Sequence, residues 1–187
     1  LTIIEEEADH LTTLIENVLE SARLQSNTLP MKFQPARLDT LIFEIAMRSK
    51  ARFDGMQVEF NFMIKPVLLI DSVRIAQVLS NLFSNAAKYA PNALIVITLS
   101  EESGFCRIRF ADSGSGIQSE HLPNLFKRFY RVPGQSGSGS GLGLFICEKI
   151  IKAHGGKISV ESQPGAGTAF LIDLPIIHGL SSKGDRN

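Results

Sequence analysis

Between Leu38 and Leu174 the hydrophobic period of the sequence switches repeatedly between helical and extended spacing, and that order restricts the fold more than any other feature. Helical spacing predicts helices over residues 38–52, 72–89 and 142–153. Extended runs fall at Val58–Ile64, Val67–Ile70, Leu94–Leu99, Arg107–Asp112, Lys157–Glu161 and Thr168–Leu174. Gly155-Gly156 supplies a stop after the third helix. The order predicts an α/β chain of the α+β two-layer kind: a mixed sheet of about five strands with three helices on one face. Residues 113–140, rich in Gly and Ser, read as a loop with one short helical piece around Leu122–Phe129.

Ahead of this block, Leu1, Ile4, Ala8, Leu11, Ile15, Val18 and Ala22 recur in steps of three and four, and Leu14 and Leu19 widen the stripe. So broad an apolar face needs neighbours, either in a helical bundle made by two chains or on its own domain. The segment Gln25–Pro35, with Asn27, Pro30 and Pro35, breaks the period and reads as a connection. The expected plan is a partial bundle domain at 1–26, a linker at 27–36, a compact domain at 37–176 and a loose tail at 177–187.

With 187 residues, 44% of them hydrophobic, the chain supports one core plus an appendage. Its 19 basic and 19 acidic residues cancel, which argues against nucleic acid or an anionic membrane surface as partner, so any phosphate must be gripped locally. Cys106 and Cys147 are too few for a disulfide scaffold and lack metal-ligand spacing; they read as core thiols in a reducing, cytoplasmic setting. No apolar run approaches the roughly 20 residues that span a bilayer. The chain begins at Leu1 rather than Met and reads as a piece of something longer, whose other segments could anchor it in an inner membrane.

Three constellations carry chemistry. Asn81, Asn85 and Lys88 sit at i, i+4 and i+7 of the helix expected over 72–89, amid apolar Val78, Leu79, Leu82, Phe83 and Ala86. Asparagine is a mediocre helix former, so the stripe reads as a face turned to a nucleotide, with an amide oxygen for Mg²⁺ and an ammonium for phosphate; taken alone it also fits a solvated face. On the strand over 106–112, Asp112 falls in phase with Cys106, Ile108 and Phe110, which puts a carboxylate at the end of a buried face. Ser113-Gly114-Ser115-Gly116-Ile117 follows, and Asp112 reads either as the acceptor for a base's exocyclic amine or as a turn cap. Third, Gly137-Ser138-Gly139-Ser140-Gly141-Leu142-Gly143-Leu144 feeds a helix, an arrangement that suits phosphate yet is neither a Walker A loop nor a dinucleotide fingerprint; taken alone it also fits a flexible linker. Thr168, in phase with Phe170, Ile172 and Leu174, should point inward.

Taken in order, these pieces resemble the ATPase family that includes histidine kinases, DNA gyrase B, the MutL repair proteins and the ninety-kilodalton heat-shock chaperones. The stretch Asp71 to Tyr89 looks like the histidine-kinase N box and Asp112-Ser-Gly114-Ser-Gly116-Ile117 like the G1 box. Leu125-Phe126-Lys-Arg-Phe129-Tyr130-Arg131 looks like the F box, Gly139 to Leu144 the G2 box, and Gly165-Ala-Gly167-Thr168-Ala-Phe170 the final glycine-threonine turn. The resemblance implies ATP and Mg²⁺ as ligands. Asn85 would hold the metal, while Lys88 and the backbone of Gly139, Gly141, Leu142, Gly143 and Leu144 would meet the phosphates. Asp112 with Thr168 would recognise adenine, Tyr89 would flank the nucleotide, and residues 118–140, with Phe126, Phe129 and Arg131, would form a lid. Asn81, Gly114, Gly116 and Ile117 complete the implied nucleotide site.

Residues 1–26 resemble the second helix of a dimerisation and phosphotransfer domain, which implies a homodimer and a response-regulator receiver domain as partners. The family's phosphoacceptor motif, His-Glu-Leu-Arg-Thr-Pro-Leu or similar, has no counterpart here: His10, His121, His154 and His178 all lack its context. The reading is a sensor histidine kinase's catalytic region that binds ATP and donates its γ-phosphoryl to a histidine elsewhere. A chaperone- or gyrase-like conformational ATPase and a degenerate docking module are the rivals.

Overall fold

The computed structural model describes residues 30–134 and 139–176. The bundle helix expected over 1–24, His10, Gly137, Ser138, the tail at 177–187 and His178 within it lie outside the described residues. The elements run β1 (Gln34–Arg37), α1 (Leu38–Arg52), β2 (Gln57–Phe62), β3 (Val67–Ile70), α2 (Ser72–Tyr89), β4 (Leu94–Glu102), β5 (Phe105–Asp112), α3 (Gly143–Ala153), β6 (Lys157–Gln163) and β7 (Gly167–Pro175).

Five strands form one sheet in the order β2-β4-β5-β7-β6, with β2 parallel to β4 and every other pair antiparallel. The period-2 pattern divides its two faces. Ile95, Ile97, Leu99, Cys106, Ile108, Phe110, Ile172 and Leu174 are buried under the helices. The other face carries polar pairs such as Arg107 on β5, whose guanidinium donates to both carboxylate oxygens of Asp173 on β7 at 2.6 and 2.9 Å. Helix α2 is the centre of the helical layer: Leu79, Leu82 and Phe83 are fully buried, each contributing roughly 1.5–3 kcal/mol, and Phe83 meets Phe110 edge-on at 4.9 Å. The two-layer architecture expected from the sequence is the one observed.

Three local readings are corrected. The linker expected through residue 36 already contains β1, which pairs antiparallel with β3 in a separate two-stranded sheet. Pro35, the residue that argued for a connection, is tolerated because a strand with one neighbour has an open side where its missing N–H costs nothing. Val67–Ile70 accordingly belongs to that small sheet and not to the main one. The helical piece around Leu122–Phe129 is a single 3-10 turn at Leu122–Asn124; Phe129 has φ of 63°, which no right-handed helix can continue through.

Asp71 fixes where α2 starts. Its carboxylate accepts from the backbone N–H groups of Val73 and Arg74 at 3.1 and 3.2 Å, capping the helix, and from Lys32 N–H at 2.9 Å. Its own backbone N–H donates to Nε2 of buried His154, whose Nδ1 meets the Ile150 carbonyl at 2.8 Å. That pair of bonds sets the neutral tautomer and ties the end of α3 to the start of α2.

Candidate functional site

A cavity of about 240 Å³ opens between α2, the ends of β5 and β7, the start of α3 and the loop after β5. It gathers most of the residues singled out in the sequence. The α2 stripe contributes Asn81, Asn85, Lys88 and Tyr89; the strand ends contribute Asp112 and Thr168. Gly116, Ile117, Gly139, Gly141, Gly143, Leu144 and Arg131 line it too. Of the remaining candidates, neither Leu142 nor Gly114 lines the cavity: Leu142 turns its side chain into the core at 0% exposure and donates its N–H to Ser140 Oγ at 3.3 Å. Phe126 packs against the core and Phe129 is 56% exposed, so neither aromatic of the loop lines the cavity; Tyr130 between them and Arg131 does.

One end of the cavity is organised by Asp112. It is the register partner of Thr168, and its Oδ1 accepts the Gly114 N–H at 2.9 Å. The Thr168 backbone N–H also donates to this carboxylate. Burial nevertheless raises the pKa of Asp112 above the ordinary 3.8, against the lowering effect of those two bonds. Gly114 is required here by contact, since a Cβ would lie 2.5 Å from that of Ala90 and 2.8 Å from Asp112 Oδ1. Gly167 is required by conformation, with φ of 87° and a Cβ position 2.0 Å from the Asp112 carbonyl oxygen.

The opposite end is cationic. The first turn of α3 has no side-chain cap, and its residues Gly143 and Leu144 line the cavity, where the helix dipole adds partial positive charge. Lys88 has its pKa lowered by burial first, then by the nearby charges of Arg131 and Arg52. An anion entering this end would relieve that crowding. Asn81 donates from Nδ2 to the Gly143 carbonyl at 3.4 Å, joining α2 to α3 beneath the glycine loop. Asn85 lines the cavity and has no side-chain hydrogen-bond partner among the described residues.

Sequence reasoning missed Ser84, Leu125, Tyr130, Val132, Ser140 and Phe170 in the wall. Ser84 was available in principle, because it shares the stripe of Asn81 and Lys88. Ser162 was also missed; its signal is the β6–β7 hairpin register, which sets it opposite Thr168.

One cavity that joins a half-buried carboxylate to an uncapped helix start and crowded cations has the make-up of a nucleotide-binding ATPase site. Residues 70–178 match the family model described as histidine kinase-, DNA gyrase B-, and HSP90-like ATPase, and the chain belongs to that family. Within it the chain is an ATP-binding catalytic domain of the histidine-kinase kind. It is 36% identical over 181 residues to the sensor protein SrrB of Staphylococcus aureus, covering 94% of this chain but 31% of that protein. Full-length ShkA, solved in complex with AMPPNP, superposes with a TM-score of 0.82 at 28% identity, over 93% of this chain and 37% of ShkA. The histidine kinase ThkA, solved in complex with the response regulator TrrA, gives 0.72 at 29% identity, over 94% of this chain and 50% of that one. The chain thus spans about a third of the length of the curated relatives it matches. Among the described residues no helix is long and apolar enough to cross a membrane.

Proposed function

We propose that this chain is the nucleotide-handling part of a two-component sensor kinase: it holds Mg·ATP so that the γ-phosphoryl passes to a histidine of the dimerisation domain and then to an aspartate of a response regulator. The observation that carries this reading is the polarity of this cavity, acceptors at one end and an uncapped helix start with cations at the other, which matches the two ends of ATP. Asp112 and Thr168 take the adenine amine, and Tyr89 flanks the base. Lys88, Arg131 and the backbone from Gly139 to Leu144 meet the phosphates. Asn81 braces the glycine loop, Gly116 and Ile117 shape the wall on the base side, and Gly114 holds Asp112 through its N–H.

Asn85 lines the cavity, and its amide oxygen, a hard neutral donor, fits Mg²⁺, which keeps most of its waters and takes few protein ligands. Such an ion supplies charge neutralisation to the triphosphate. The chain's own contribution is positioning and charge stabilisation, which is what phosphoryl transfer chiefly needs. The loop over residues 118–140 acts as the lid. Neither described histidine is the phosphoacceptor, since buried His154 has both ring nitrogens engaged and His121 is bonded to Tyr130 at 2.9 Å. Residues 1–26, by their resemblance to a dimerisation-domain helix, would join a second copy in the full-length homodimer.

Calorimetric titration with a non-hydrolysable ATP analogue, with and without Mg²⁺, tests the reading. Magnesium-dependent micromolar binding, about 8 kcal/mol, is expected, with no acid-labile phosphohistidine on the chain after incubation with ATP. No binding at millimolar nucleotide would refute it.

A further inference from the structure

The hydroxyl of Ser162 sits behind the base-facing end of the cavity and makes three contacts. It receives the Ile117 backbone N–H at 2.8 Å, donates to the Gly167 carbonyl at 2.8 Å, and lies 2.9 Å from Thr168 Oγ1. A serine hydroxyl has one hydrogen and two lone pairs. The hydrogen is committed to Gly167 and one lone pair to Ile117, so the contact with Thr168 uses the second lone pair. Thr168 must therefore be the donor in that contact.

The consequence lies one residue away. With its only side-chain hydrogen turned toward Ser162, Thr168 Oγ1 can offer the cavity lone pairs alone. Its register partner Asp112, already accepting from Gly114 N–H and Thr168 N–H, is a second group that only accepts while ionised. Two acceptors side by side complement an amino group with its two hydrogens. They oppose a carbonyl oxygen, which would face them lone pair to lone pair.

We propose that Ser162 is a specificity-determining positioning residue: by fixing Thr168 as an acceptor it makes the site choose a 6-aminopurine over a 6-oxopurine. This rests on the nucleotide reading given above. Ser162 does not itself line the cavity and acts through Thr168.

The test compares, on each variant, the affinities for AMPPNP and for its inosine counterpart, which differs in carrying the 6-oxo group. The ratio of the two is the readout, because a loss of fold stability or of phosphate grip lowers both affinities and leaves it unchanged. In S162A the Thr168 hydroxyl is free to turn its hydrogen into the cavity, and the preference for the amino form should narrow by about tenfold. S162T, which keeps a hydroxyl at the same place, should restore it. T168V leaves the Ile117 and Gly167 bonds of Ser162 in place and should narrow the ratio likewise, which keeps the proposal testable should S162A fail to fold. A ratio that is unchanged or widened in S162A or in T168V overturns the proposal, Ser162 then being a hairpin brace only. Failure of the parent chain to bind AMPPNP at all would instead overturn the nucleotide reading itself.

Discussion

The two ends of the cavity are built in different ways. The base-facing end stands on the paired ends of β5 and β7, where ladder register places Asp112 opposite Thr168 and short bonds from Gly114 and Ser162 commit the neighbouring polar groups. The phosphate-facing end is assembled from α2, the start of α3 and a glycine-rich loop, joined by single side-chain bonds such as Asn81 to Gly143. Its cations raise one another's cost, whereas the carboxylate at the other end is held by donors. A rigid end suits the choice of a base. A loosely joined, positively charged end suits a group that must bind, react and leave.

The largest effect should come from breaking the rigid end. Asp112→Ala removes the acceptor for the base amine and the partner of Gly114 N–H; nucleotide affinity, read by calorimetry, should fall by about 100-fold, in line with a lost hydrogen bond to a charged group. Retained affinity would mean that the base is not recognised there. Next come two glycine substitutions that differ only in which end they touch. Gly114→Ala drives a methyl into Ala90 and Asp112 and should cost about 1–3 kcal/mol in thermal or urea unfolding, while Gly139→Ala, where a Cβ meets nothing within 4 Å, should change stability little. Equal costs at the two positions would erase the distinction between the ends.

Lys88→Met tests the phosphate end alone. About a tenfold loss of affinity is expected for the ATP analogue, with none for adenosine, and the loss should shrink at high salt. Since burial and the charges of Arg131 and Arg52 disfavour the ammonium in the free domain, its removal should not lower the melting temperature. A variant that weakens adenosine as much as the triphosphate would place Lys88 at the wrong end.

The same division explains what could be read from the chain. Period 2 on β5 and β7 placed Asp112 and Thr168 inward correctly, because a strand fixes the direction of every second side chain. Period 3.6 likewise aligned Asn81, Asn85 and Lys88. What escaped were facts that depend on two segments meeting. β1 and its pairing with β3 required knowing that Pro35 had an open side, and the inward turn of Leu142 depended on the core that receives it. In the loop, residue type says that the chain bends but not that Tyr130, rather than Phe129, reaches the cavity.

The smallest expected effect concerns what holds the helical side together. His154 closes the joint between α3 and α2 by accepting the Asp71 backbone N–H on Nε2, an interaction that only the neutral ring can make. Burial lowers its pKa below the ordinary 6.5, outweighing the Ile150 carbonyl and the Asp71 carboxylate, both of which favour the charged ring. The folded protein therefore takes up this proton less readily than the unfolded chain. The stability contributed is complete above pH 6.5 and is lost as pH falls through that value toward the folded one. Urea unfolding of the parent chain should show this decline, and His154→Gln should flatten it while costing about 1 kcal/mol at neutral pH. Because the joint lies in the helical layer, hydrogen exchange in mild acid should rise in α2 and α3 before it rises in β5 and β7. Simultaneous loss of protection in both would show that the two ends of the cavity rest on one cooperative scaffold, however differently their polar groups are held.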